Sequence, residues 1–405
     1  MHSPVIFHID VNSAFLSWEA VHRIRDLGEK DDLREIPSAV GGDRAMRQGI
    51  ILAKSIPAKK YNIQTGEPVT DALRKCPGLV LVPPNRRLYE KYSEAFLQIL
   101  RKYSDAVEKF SIDEAFADMT GTRELFGEPV CAANAIKDEI YETLGFTVNV
   151  GVSCNKLLAK MASDFRKPNF VHTLFPEEIE KKMWPLPVRE LFLVGKASER
   201  KLHAIGIRTI GDLAKADVKV LKSILKKHGE TLWDFANGRA ASVVEQKPAD
   251  NKGYGNSTTT AFDVTEREDA KRILLSLAET VGRRLRKDGA RIEVVSVTIR
   301  SCDFSESSHQ CALLAATNIT KEIYDTACRL FDELWDGTPI RLLGIYTGRA
   351  TKEEAGRQMD LFDPTDYERL EKLDRAIDSI REKFGTDSVM RASFLKRDGT
   401  EHDRH

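Results

Sequence analysis

A multidomain α+β protein is predicted, on three observations. The chain runs to 405 residues, beyond the roughly 250–300 at which a single core stops growing. Strand alternation and helical periodicity take turns up to about residue 170, and a purely helical texture begins at Val171. A second mixed segment starts beyond the polar stretch Ala249–Asn256, which reads as a linker.

In V-I-F-H-I-D, residues Ile6, His8 and Asp10 share one face and Val5, Phe7 and Ile9 the other, so a strand ends at Asp10. The helix A-F-L-S-W-E-A-V-H-R-I follows and carries Phe15. I-P-S-A-V, the turn at Gly41–Gly42 and G-I-I-L-A-K make a small inserted module that closes near Pro77–Gly78. Then come strand L-V-L-V-P-P, a long helix through R-L-Y-E-K-Y-S-E-A-F, and the strand pair A-V-E-K-F-S-I-D and E-A-F-A-D-M. Helix V-C-A-A-N-A-I-K-D-E-I-Y and strand F-T-V-N-V-G-V-S complete a β-α-β-β-α-β order, an open sheet with helices on one face. Short helices joined by Gly195, Gly206 and Gly211 form an all-α unit. After the linker, a helix through L-L-S-L-A-E-T-V-G-R-R-L, strands V-V-S-V-T-I-R and Q-C-A-L-L, a second helix and strand I-R-L-L-G-I-Y make another α+β domain. The tail from Lys352 is strongly charged.

Basic and acidic residues balance at 62 each, which as a global count argues against a polyanionic partner. Local clusters argue for one: Lys196, Arg200 and Lys201, and the run Arg283, Arg284, Arg286, Lys287 and Arg291. They suit a protein that grips a polyanion along one face, or they are ordinary solvated helix faces. The six cysteines are far apart without a C-x-x-C pair, so they read as core fillers in a reducing compartment. No stretch reaches the roughly 20 apolar residues of a membrane span and no basic leader opens the chain, which suggests a cytoplasmic protein. Any metal is expected on oxygen ligands.

F-S-I-D-E-A-F sets Asp113 beside Glu114 inside a strand-like run. Ionised carboxylates leave water at a high cost unless a cation pairs with them. Adjacent strand residues point to opposite faces, so the two converge on one ligand only at the tip of a hairpin, which lies near the end of the Asp10 strand if the strands are neighbours. Three hard oxygen donors suit magnesium, and two such ions about 3.5–4 Å apart can activate a hydroxyl and stabilise leaving pyrophosphate. The competing reading is an exposed hairpin tip and an unrelated strand-end aspartate.

H-I-D-V-N-S-A-F, F-S-I-D-E-A-F and N-V-G-V-S-C-N-K-L-L-A-K-M-A-S-D-F-R-K-P-N together resemble the Y-family of translesion DNA polymerases, in its bacterial polymerase IV branch, over about residues 4–350. The resemblance implies a palm at residues 1–20 and 78–170, small fingers at 21–77, and a helix-hairpin-helix thumb at 171–240. A linker at 241–255, an α+β little finger at 256–350 and a charged tail at 351–405 complete the expected layout. It also implies low-fidelity, primer-dependent addition of deoxynucleotides by a monomer that binds primer-template DNA, deoxynucleoside triphosphates, two Mg2+ ions and a sliding clamp.

By the same resemblance Asp10, Asp113, Glu114 and the Val11 carbonyl would hold the ions, with Glu114 the first choice for the catalytic residue. Phe15 falls at the steric gate that excludes a ribose 2′-hydroxyl, although helical spacing alone makes it a core residue. Lys59 and Lys167 match triphosphate contacts, or are surface lysines. The sequence departs from the family where Ile56 replaces a tyrosine and Lys59 an arginine, and lysine cannot fork onto two phosphate oxygens. L-F-L-V-G-K-A-S-E-R-K-L is similar to a helix-hairpin-helix holding a DNA phosphate through Gly195 and Lys196, or is a plain packing corner. Arg283, Arg284 and Arg286 would track the DNA backbone. R-Q-M-D-L-F-D resembles a clamp-docking peptide with Gln358, Leu361 and Phe362 as anchors, followed by an amphipathic helix through Leu370, Leu373, Ile377 and Ile380. Against a polymerase stand a nucleotidyl cyclase or other two-metal phosphotransferase, and a DNA-bound accessory protein without catalysis.

Overall fold

The computed structural model describes residues 4–42, 49–240, 243–247, 249–352 and 366–394. They fall into two compact units that divide between Pro248 and Ala249.

The first unit is built around a five-stranded sheet of β1 (Ile6–Val11), β5 (Val107–Lys109), β6 (Glu114–Asp118), β7 (Val148–Ser153) and β8 (Val171–Thr173), in the order β5-β6-β1-β7-β8. β1 is buried along its whole length between antiparallel partners β6 and β7. Its alternation divides the core. Phe7, Ile9 and Val11 join the apolar faces of helices Arg86–Tyr103 and Pro129–Leu144. Ile6 packs instead with Ala159 of helix Lys156–Asp164, and His8 reaches Ser163 of the same helix. The sheet is therefore covered on both faces, where helices on one face were expected. Gly151 explains the close approach: a Cβ there would lie 1.9 Å from the Ala159 carbonyl oxygen, so only glycine lets the helix seat on β7.

The inserted module is a three-stranded sheet of β2 (Ser38–Gly41), β3 (Ile51–Lys54) and β4 (Val80–Val82), ordered β3-β2-β4. β4 pairs in parallel with β2, so the strand expected to resume the palm belongs to the insertion. Likewise the first helix, Ala14–Arg25, runs past the expected palm boundary at residue 20. The all-α segment contains helices Lys196–Ala204, Ile210–Lys215, Val218–Leu225 and Lys227–Ala236 around Leu202, Ile210, Leu213, Leu221 and Leu232. Residues 243–247 stay with this unit: Val244 is buried beside Ile6, and the Glu245 amide donates to Glu108.

The second unit is an antiparallel sheet of β9 (Gly255–Val264), β10 (Ile292–Ser301), β11 (Glu306–Thr317) and β12 (Ile340–Gly348), in the order β11-β10-β12-β9. β9 was not foreseen, because the polar N-S-T-T-T run hides its alternation. Helices Arg267–Lys287 and Thr320–Leu334 bury Leu274, Leu277, Val281, Leu285, Ile323 and Phe331 against Val295, Val297, Ile299, Leu343 and Ile345. The tail helix, Tyr367–Phe384, packs on helix Arg267–Lys287.

All six cysteines are free thiols, and Cys131 and Cys302 are exposed rather than in a core. Among the described residues no helix is long and apolar enough to cross a membrane.

Candidate active site

The end of β1 and the β5–β6 hairpin meet as the alternation argument required. Asp10 stands opposite Glu114 across the β1–β6 ladder. The hairpin turns through residues 110–113, closed by the Phe110 and Ser111 amides, which both donate to the Glu114 carbonyl. Asp113 occupies that turn, its backbone carbonyl accepting from the Val11 amide at 3.0 Å and its carboxylate accepting from the Ser111 hydroxyl at 2.6 Å.

The three acids have different environments. Asp10 is buried, and burial pushes its carboxyl up to about 6, with Lys167 pulling it back and Glu114 adding to the rise. Its partner in this structure is the Lys167 ammonium, which also lies 2.8 Å from Asp164. Burial would lower the Lys167 pKa, but Asp10 and Asp164 outweigh it and lift the group to about 12. Near neutral pH both partners are therefore charged. Asn149, opposite Asp10 on β7, donates to the carbonyls of Ser163 and Arg166 and accepts from the Phe170 amide, fixing the segment that carries Lys167.

Glu114 Oε1 is 2.8 Å from the ammonium of Lys160, itself flanked by the rings of Phe110 and Phe192 at 5.6 Å each. His8 lies beneath the pair, its Nε2 3.9 Å from Glu114 Oε2. The Ser163 hydroxyl donates to the Lys160 carbonyl, so His8 Nδ1 is the donor to Ser163 and a neutral ring leaves Nε2 unprotonated. Burial first, then Lys160 and Lys167, hold the imidazole well below its ordinary pKa, which keeps it neutral.

Asp10, Val11, Phe15, Lys59, Asp113 and Lys167 line one cavity of about 380 Å3. Phe15 stacks on Tyr89, centroids 4.4 Å apart and rings 10° from parallel, and is only partly buried, so it is both a core residue and a cavity wall. Lys59 closes a one-turn helix, Ile56–Lys59, capped by Ser55, and Ile56 is exposed beside it. Glu114 is not in that lining. The donors are carboxylate and carbonyl oxygens, the hard ligands that magnesium takes. In this structure, though, lysines neutralise Asp10 and Glu114, and among the described residues no three His, Cys, Asp or Glu side chains gather as a metal-binding group.

Other expectations fare differently. Gly195 caps helix Lys196–Ala204 and both Gly195 and Lys196 are exposed, as a phosphate contact requires. Arg283 is partly buried on its helix, while exposed Arg284 donates to the Gly255 carbonyl. Arg286, expected on a DNA surface, is a correction: its side chain is 7% exposed and pairs with Asp374 at 3.1 Å and Asp378 at 2.6 Å on the tail helix. The periodicity of the run could not show this, because its counter-ions lie about ninety residues away. Gln358, Leu361 and Phe362 lie outside the described residues.

Comparison with known proteins gives the chain its family. Residues 9–164 match the impB/mucB/samB family, residues 251–361 that family's C-terminal domain, and residues 190–239 the DNA polymerase-iota thumb domain. DNA polymerase IV of Clostridium acetobutylicum is 45% identical over 98% of this chain and 99% of its own length. The chain belongs to the Y-family of DNA polymerases, in its bacterial polymerase IV branch. DNA polymerase IV 2 of Bacillus subtilis, another relative in that branch, is 35% identical over the whole of this chain and 98% of its own. A solved Y-family DNA polymerase chimera shares the fold with a TM-score of 0.72, covering 85% of this chain and 98% of its own at 23% identity.

The thumb match agrees with the all-α segment, and the C-terminal match with the four-stranded unit. Lys160 and His8 were not singled out from sequence. Lys160 interrupts the apolar stripe of Leu157, Leu158 and Met161, and a lysine on a buried helix face is the signal of a buried counter-charge.

Proposed function

We propose that this chain is a template-directed DNA polymerase that adds deoxynucleotides to a primer 3′-hydroxyl at low fidelity and serves translesion synthesis. One observation carries the reading: Asp10 from the end of β1, Asp113 from the β5–β6 turn, the first-helix phenylalanine and three lysines line a single cavity. That assortment suits a deoxynucleoside triphosphate, with a ring for the sugar, ammonium groups for the phosphates and hard oxygen donors between them.

In this reading Asp10, Asp113, Glu114 and the Val11 carbonyl hold two Mg2+ ions. When bound, such ions activate the primer hydroxyl and neutralise the leaving pyrophosphate. The protein's own contribution is positioning. The β1–β6 register sets Asp10 against Glu114, the Val11–Asp113 hydrogen bond locks the hairpin tip to the β1 end, and Lys160 holds Glu114 in place until it is needed. Phe15 excludes a 2′-hydroxyl, its ring backed by Tyr89. Lys59 and Lys167 meet the triphosphate. Gly195, Lys196, Arg283 and Arg284 contact the DNA backbone, and the segment with Gln358, Leu361 and Phe362 docks on a sliding clamp.

Primer extension tests the reading directly. Wild type extends a primed template in Mg2+, and Glu114→Ala lowers the rate about a thousand-fold when assayed below its melting temperature, which falls because Lys160 loses its partner. Equal extension by the two proteins overturns it.

A further inference from the structure

β3 contributes Leu52, Ala53 and Lys54 to the lining of the cleft. Ile51 and Ala53 are buried in the cores of the inserted module, while Leu52 and Lys54, two residues apart and so on the same face, are half-buried and line the cavity with Asp10 and Asp113. The face is graded along its length. Leu52 joins the apolar cluster that Phe15 also touches, and Lys54 lies within electrostatic reach of Lys59. Burial, then Lys59, pull the Lys54 ammonium below its ordinary pKa. Among the described residues neither Lys54 nor Lys59 has a carboxylate within ion-pair distance, because nearby Glu67 is engaged by Lys75 at 2.6 Å. Two ammonium groups on one cavity wall repel each other, and among the described residues neither has a carboxylate counter-ion. That arrangement fits a wall that receives an anion.

We propose that Lys54 is a third phosphate-binding residue of the cleft, forming with Lys59 and Lys167 a cradle of three point charges for the triphosphate of the incoming deoxynucleotide. The inference rests on the polymerase reading above. Its chemistry follows from the side chains present. Among the described residues no arginine lines this cavity, so none of them offers a guanidinium fork for two phosphate oxygens at once. A polyanion of three phosphates is instead matched by ammonium groups arriving from β3, from the Ile56–Lys59 turn and from the segment after helix Lys156–Asp164. Because Leu52 and Phe15 occupy the other end of the face, Lys54 meets phosphate rather than base.

The test is nucleotide binding without turnover, on a primer ended with a dideoxynucleotide, for wild type, Lys54→Met, Lys54→Arg and the exposed neighbour Lys60→Met. Lys54→Met is expected to weaken all four deoxynucleoside triphosphates by about ten-fold, and the diphosphates less. In steady-state extension the same variant raises KM and leaves kcat nearly unchanged. Lys54→Arg restores most of the affinity, and Lys60→Met matches wild type. Unchanged affinity in Lys54→Met, with wild type extending primers normally, overturns the inference and leaves the polymerase reading intact. A loss confined to one base also overturns it, in favour of contact with the base edge. Wild type that cannot extend a primer overturns the polymerase reading, and this inference with it.

Discussion

Lys160 Nζ lies 2.8 Å from Glu114 Oε1, between the rings of Phe110 and Phe192. The lysine comes from the helix seated on Gly151 and the glutamate from the first position of β6, so the pair joins two elements that share no local sequence. Removing one partner of a largely buried pair strands the other charge. Lys160→Met is expected to cost about 2–4 kcal/mol, read as a lower urea midpoint at constant slope. Lys160→Arg should recover much of it. An unchanged midpoint in Lys160→Met shows that the pair does not stabilise the fold.

Gly151→Ala tests how that helix is seated. The added methyl would meet the Ala159 carbonyl oxygen at 1.9 Å and the Ser163 amide at 2.5 Å, both backbone atoms. Because neither can rotate aside, the helix must shift. A loss of about 3 kcal/mol or more is expected, together with reduced primer extension, since Lys160 moves with the helix. A melting curve that superimposes on wild type contradicts the packing described.

Arg286→Ala separates a structural arginine from a DNA-binding one. It leaves Asp378 without its cation and Asp374 with Arg391 at 3.7 Å, and Asp374 also accepts from the Thr320 amide in a buried setting. The expected result is a loss of about 3 kcal/mol in the second unit and rapid proteolysis within Tyr367–Phe384. The salt dependence of DNA binding should stay close to wild type. Arg283→Ala should do the reverse, lowering the slope of log affinity against log salt by about 1 at little cost in stability.

Phe15→Val removes a ring that backs onto Tyr89 and faces the cavity. Ribonucleotide insertion relative to deoxynucleotide insertion is expected to rise about a hundred-fold. The comparison is the ratio of kcat/KM for the two nucleotides, and a ratio equal to wild type removes Phe15 from the sugar contact.

Chelation should silence the enzyme without unfolding it. Lys160 and Lys167 pair with Glu114 and Asp10, so neither of these carboxylates depends on an ion for its counter-charge. EDTA is expected to abolish extension while the melting temperature falls by at most a degree or two, and restored Mg2+ should bring the activity back. A large loss of stability in EDTA means that an ion, not lysine, holds the site together.

Much of the site was legible along the chain because its logic is local. Alternation in V-I-F-H-I-D put Asp10 on the face opposite Ile9, and the adjacency of Asp113 and Glu114 demanded a hairpin tip. Those constraints involve neighbours one or two residues apart. The helical period of the tail was readable in the same way, but not its buried side: the helix buries Asp374 and leaves the apolar Leu373 and Ile380 exposed.

Tertiary structure decided what those faces meet. It chose Asp374 and Asp378 as the counter-ions of Arg286, gave β4 to the inserted module, set a helix on the second face of the sheet, and turned Lys54 into the cleft. The physical reason is common to all four. Periodicity records which side of an element avoids water, whereas a partner is selected by packing and charge pairing between segments tens of residues apart, and no single stretch of sequence carries that choice.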